Sequence, residues 1–166
     1  MSTKLAKVAL AATMMAGFAT AQAKPAVLLT GEPAGNNMLL ALDFMADDQP
    51  VTAIMVEIKL KPGTKNADID MSQCVSKLAN SHTGGCNIKD NGNLAVLVYG
   101  AAANVPLKSG SIGSFVIPKA LLPVNNDRVD VAVAEFTLPD GKTTAGDAIS
   151  EVVDKHGRDT RNTHAK

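Results

Sequence analysis

Cys74, His82 and Cys86 bring most of the reactive side-chain chemistry of this chain into one short segment. A metal site would use all three. Their spacing matches no zinc-ligand pattern, and the sequence offers no evident fourth ligand. The cysteine count is two, and an even number suits a disulfide in an oxidising compartment. Cys74 and Cys86 are therefore expected to pair. Closing so short a loop would contribute roughly 3 kcal/mol through chain entropy. His82 stands between Ser81 and Thr83 beside Gly84 and Gly85, and reads as a solvated loop residue.

The other reactive types do not converge on a catalytic set. Asp68 and Asp70 could form a carboxylate pair, but alternate residues that face water explain them equally. No G-x-S-x-G, H-E-x-x-H or phosphate-binding loop occurs. Gly110-Ser111-Ile112-Gly113-Ser114 reads as close packing within a strand. Asp47, Asp48, Asp90, Asn91, Asn125 and Asp127 could serve calcium. None has the spacing of an EF-hand loop, and turn formation accounts for them without a metal. No cofactor and no catalysis are expected. Sugar binding usually needs an aromatic platform. Tyr99 is the single amphipathic ring. It follows an apolar run, so it reads first as a core residue with its hydroxyl at the rim, and second as the one ligand-binding candidate.

The start of the chain bears on location. Lys4 and Lys7 precede an uncharged, alanine-rich run from Val8 to Ala23 that ends in Ala21-Gln22-Ala23. This is the pattern of a secretory signal peptide with an A-x-A site. The run is shorter than the roughly 20 apolar residues of a spanning helix. Cleavage after Ala23 is expected, with export to the periplasm or the extracellular space and no transmembrane segment afterwards. Without Lys4 and Lys7, the balance is 14 basic to 16 acidic residues. There is no basic field for nucleic acid. The part after Ala23 keeps Phe44, Phe115, Phe136 and Tyr99 as its aromatic residues and has no tryptophan. Its core must come from Val, Ile, Leu, Ala and Met, which suit packed sheets.

These elements must position whatever the chain binds. Val51 to Leu60 alternates most clearly. Ile54, Val56, Ile58 and Leu60 should face inward, and Pro62-Gly63 should form a type II turn. Val27–Thr30 and Met38–Met45 are further strand-like runs, with Gly31–Gly35 between them as a turn. Residues 64–90 are irregular. Asp68–Asp70 could be a short strand there, and Val75–Ala79 a single helical turn. Leu94 to Tyr99 is apolar throughout, which predicts a central strand buried on both faces. Ile112 to Ile117 should end, or lie at an edge, at Pro118. Val129, Val131 and Val133 change phase with Phe136 and Leu138, which predicts a β-bulge near Ala134-Glu135. Ala148–Asp154 could be a short helix or strand, and residues 155–166 read as a disordered tail. About eight or nine strands with no long amphipathic helix predict an all-β, antiparallel sandwich over residues 24–154.

From Val51 onward, the order of features resembles a cohesin domain. The resemblance lies in the amphipathic strand and turn Ala53-Ile54-Met55-Val56-Glu57-Ile58-Lys59-Leu60-Lys61-Pro62-Gly63. It continues in Asn93-Leu94-Ala95-Val96-Leu97-Val98-Tyr99-Gly100 and in Ser109-Gly110-Ser111-Ile112-Gly113-Ser114-Phe115-Val116-Ile117. The tip Leu138-Pro139-Asp140-Gly141 completes it. The resemblance implies a secreted, non-catalytic jelly-roll β-sandwich related in fold to carbohydrate-binding modules. It implies recognition of a protein partner, dockerin-like or an envelope protein, through a sheet face or edge. The alternative is a carbohydrate-binding module acting on envelope or extracellular polysaccharide.

Overall fold

Alternating Val, Ile and Leu side chains give two sheets one apolar face each, and the sheets bury those faces against one another. The computed structural model describes residues 24–46, 48–102, 105–123 and 129–153. The signal-like segment, the candidates Asp47, Asn125 and Asp127, and residues 154–166 lie outside the described residues.

Nine strands form among the described residues: β1 (Ala26–Ala34), β2 (Asn37–Met45), β3 (Ala53–Ile58), β4 (His82–Ile88), β5 (Leu94–Gly100), β6 (Gly110–Pro118), β7 (Val131–Thr137), β8 (Thr143–Ala145) and β9 (Asp147–Val152). One sheet has the order β6-β2-β1-β9, the other β4-β5-β3-β7-β8. The expected all-β sandwich is the observed one. Ile54, Val56, Ile58 and Leu60 are buried as expected. They pack against Leu29, Leu40, Leu42 and Phe44 from the facing sheet. Phe44 and Phe136 stack at a centroid distance of 6.0 Å and join the two layers. Gly63 has φ +87°, and Thr64 N–H donates to Lys61 O at 3.3 Å, which matches the expected turn.

Several expectations need correction. Gly31–Gly35 is not a turn, because β1 continues to Ala34 and pairs with β2 through Pro33↔Met38. The β1–β9 pairs end at Gly31↔Val152, so the N–H that Pro33 lacks falls beyond that ladder. The β1–β9 pairing is parallel, the exception in an otherwise antiparallel fold. Ala148–Asp154 is thus a strand over its described length. The bulge lies earlier than predicted. Glu57 pairs with Val133 and Ile58 with Val131, so Ala132 is the extra residue. Val131 and Ala134 then both pack on the core.

Residues 64–90 are more regular than their composition suggests. Asn66–Asp68 is a 3-10 turn, and Asp70 makes only a lone bridge with Val116. Residues 72–77 form successive turns in place of a helical one. This segment runs along the outer edge of β6. Lys77 N–H donates to Ile112 O at 3.0 Å, and Ser114 N–H donates to Gln73 O at 2.9 Å. Gly113 is required there, since a Cβ would lie 2.2 Å from Cys74 O. The expectation of close packing at that glycine holds. His82–Ile88 is a full edge strand on β5, although Gly84 and Gly85 weaken strand propensity.

The candidate binding face

Cys74 and Cys86 form the expected disulfide, with their Cα atoms 6.4 Å apart. Its setting differs from a bridge across a bare loop. Cys74 belongs to the segment that covers β6, the edge of one sheet. Cys86 lies on β4, the edge of the other. The bridge therefore clasps the two sheets along one side.

His82 is not a solvated loop residue. It opens β4 and is half-buried. Its Nδ1 lies 3.0 Å from Ser81 Oγ, and its Nε2 lies 3.2 Å from Val105 O. Both nitrogens are held, and no third ligand joins the bridged cysteines. Asp68 and Asp70 do not form a pair. Asp68 accepts from Lys65 N–H at 2.8 Å, and Asp70 accepts from Ser72 N–H at 3.0 Å. That backbone hydrogen bond, with a contribution from the Ser72 side chain, lowers the Asp70 pKa. Asp90 and Asn91 sit in the β4–β5 turn, where Asn91 Oδ1 accepts from Asn93 N–H at 2.9 Å. Among the described residues, no group of three His, Cys, Asp or Glu side chains could hold a metal ion.

Leu94–Tyr99 does not form a strand buried on both faces. Leu94, Val96 and Val98 are buried, whereas Leu97 is 46% and Tyr99 45% exposed. Tyr99 is therefore no core residue. Alternation on β5 puts both side chains on the outer face of the five-stranded sheet. Tyr99 lies between Thr83 of β4 and Ala53 of β3, and Leu97 between Gly85 and Met55. Apart from Met55 these neighbours are small, and the two large side chains stand prominent on the sheet surface. The other sheet exposes Val153 at 39% just beyond β9, and on β2 it exposes Leu39 and Met45, each at 39%. Those two stand about 20 Å apart along β2, whereas Leu97 and Tyr99 are about 7 Å apart. An adjacent pair makes a contact patch, while scattered single residues are ordinary. The apolar run from Leu94 to Tyr99 was the sequence signal for this patch, but it does not distinguish burial from display.

Glu57 was missed as a structural residue. It lies on the outward side of β3 yet is only 5% exposed. Lys89 Nζ donates to its Oε1 at 2.5 Å, and Asn93 Nδ2 to its Oε2 at 3.1 Å. These residues flank the β4–β5 turn, so Glu57 ties that hairpin down across β3. The Lys89 hydrogen bond, then that of Asn93, lowers the Glu57 pKa below 4.5, against a smaller opposing effect of burial. A carboxylate with a depressed folded-state pKa contributes stability that is complete above its unfolded value and lost as pH falls through the folded one. Glu57→Gln should therefore flatten part of the acid limb of a stability-versus-pH curve below about pH 4.5. At pH 7 the substitution should cost about 1–2 kcal/mol, held low because Lys89 is 43% exposed and can turn to water. Urea melts of both proteins from pH 3 to 7 check this, and parallel acid limbs would show that Glu57 does not drive the effect.

No protein-family model matches the chain, and no curated protein matches it significantly. Solved structures do. A cohesin module from a family 33 glycoside hydrolase of Clostridium perfringens ATCC13124 superposes with a TM-score of 0.50. It is 12% identical, with 75% of this chain and 90% of that one covered. The fold is cohesin-like. The second type II cohesin module of the ScaA scaffoldin of Acetivibrio cellulolyticus gives a TM-score of 0.49 at 10% identity, covering 76% of this chain and 92% of that one. A non-cellulosomal cohesin from Archaeoglobus fulgidus gives 0.46 at 10% identity, covering 80% and 90%. At such identities the likeness concerns architecture. On this cohesin-like frame, Leu97 and Tyr99 stand on the outer face one strand in from the β4 edge, flanked by β4 and β3.

Proposed function

We propose that this cohesin-like domain is a non-catalytic binding module that recognises a protein partner through the outer face of its five-stranded sheet. The observation that carries the reading is the exposed Leu97–Tyr99 pair on the outer face of β5. Exposed apolar groups at a protein contact gain by leaving water, and aromatic residues recur as anchors there. The partner is of the dockerin-like or envelope type, as the cohesin resemblance implies. The domain is exported after cleavage at Ala23. The Cys74–Cys86 bridge supports that location, since such bonds persist in oxidising compartments. Among the described residues, no helix is long and apolar enough to cross a membrane.

Pull-down from native envelope and secreted fractions tests the reading, with N-terminal sequencing of the exported product. A protein retained by the wild type and lost with Leu97→Lys supports it. Retention of a polysaccharide and no protein contradicts it. Carbohydrate binding is the second reading, and it rests on Tyr99, an exposed ring that could stack on a sugar. Affinity gels carrying polysaccharides favour that reading if retardation disappears with Tyr99→Ala and persists with Leu97→Lys.

A further inference from the structure

A cavity of about 320 Å³ opens between the disulfide-bounded segment and the start of β6. Neither Leu97 nor Tyr99 lines it. Lys77, Leu78, Val105, Pro106 and Lys108 line it, and Phe44 and Ile112, which also border it, are almost fully buried. No Asp or Glu lines it. Neither lysine has an ion-pair partner among the described residues. Of the other polar side chains, those of Ser81, His82 and Ser109 are committed and that of Ser111 is not. The His82 ring nitrogens contact Ser81 Oγ and Val105 O, and Ser109 Oγ accepts from Ala46 N–H at 2.8 Å. What remains for a ligand is apolar surface, the Ser111 hydroxyl and two ammonium groups.

We propose that this cavity binds a small amphipathic anion, an apolar body bearing one carboxylate or sulfonate. The apolar body would pack on Leu78, Val105 and Pro106, the apolar lining residues that are not fully buried. The acid group would take charge-assisted hydrogen bonds from Lys77 and Lys108. The volume lies within the range of small-molecule sites, whose few polar groups orient a mostly apolar ligand. An inorganic anion would leave the apolar surface unused, and a neutral sugar would leave both cations without a counter-charge. Lys77 and His82 fall between Cys74 and Cys86, so the bridge holds one wall of the site.

Fluorescence titration of the purified protein with 8-anilinonaphthalene-1-sulfonate tests this, and the chain has no tryptophan to interfere. Octanoate should displace the dye, and octanol should do so at least about tenfold less well, given the strength of charged hydrogen bonds. Lys77→Gln with Lys108→Gln should weaken dye binding about tenfold or more by the same reasoning. Leu97→Ser with Tyr99→Ser should leave it unchanged. Absence of dye binding, equal displacement by octanol, insensitivity to the lysine pair, or loss with the Leu97 and Tyr99 changes would each overturn the proposal. None of these outcomes bears on whether a protein partner uses the sheet face.

Discussion

Phe136→Ala is expected to lower the unfolding free energy by about 3–5 kcal/mol, the usual cost of removing a buried aromatic ring. Phe136 is fully buried and stacks on Phe44 from the opposite sheet. The ring also lies against the chain where it leaves β8 for β9. A Cβ added at Gly146 would sit 2.1 Å from Phe136 Cε2. Truncation should therefore leave a void between the layers and loosen the crossing that carries the chain to the first sheet. The low aromatic content leaves few rings able to relax into the gap. Urea denaturation at pH 7 measures the loss, and one below about 1 kcal/mol would mean that the site collapses freely. Phe136→Leu should cost less, since it keeps much of the volume.

Cys74→Ser with Cys86→Ser is expected to lower stability by about 2–4 kcal/mol. The bridge joins elements that also have backbone partners: the 70–77 segment on β6 and β4 on β5. The sandwich should therefore survive the change. The intervening residues 78–81 should become the most protease-sensitive part, while β4 keeps its pairing. Two free thiols in the exported protein, measured by mass, would contradict the bridge. Unchanged proteolysis at residues 78–81 in the double variant would contradict its ordering role.

Period-two alternation made the core strands legible. Ile54, Val56, Ile58 and Leu60 could be assigned inward because polar residues mark the opposite face at its end. The same logic failed where chemistry and pattern diverge. Gly84 and Gly85 hid β4, since an edge strand can tolerate residues that propensity disfavours. Glu57 gave no sign of its structural role, because a sequence does not reveal that Lys89 and Asn93 return to cover it. The phase change before Phe136 announced a bulge, but only the β3–β7 register places it at Ala132. Leu97 and Tyr99 were misread as core for a related reason. An apolar run is the same in sequence whether its second face meets another layer or a partner.

The central claim is that the face bearing Leu97 and Tyr99 is where a protein partner docks. The most direct measurement is amide hydrogen exchange on the protein with and without the captured partner, alongside the affinity of Leu97→Lys with Tyr99→Ala. Protection should appear in Ala53–Ile58 and Leu94–Gly100. The double variant should bind at least about 30-fold more weakly, the loss of roughly 2 kcal/mol typical of a hot spot, with an unchanged unfolding midpoint. Protection confined to β1, β2 or β9, with wild-type affinity in the double variant, would contradict the account.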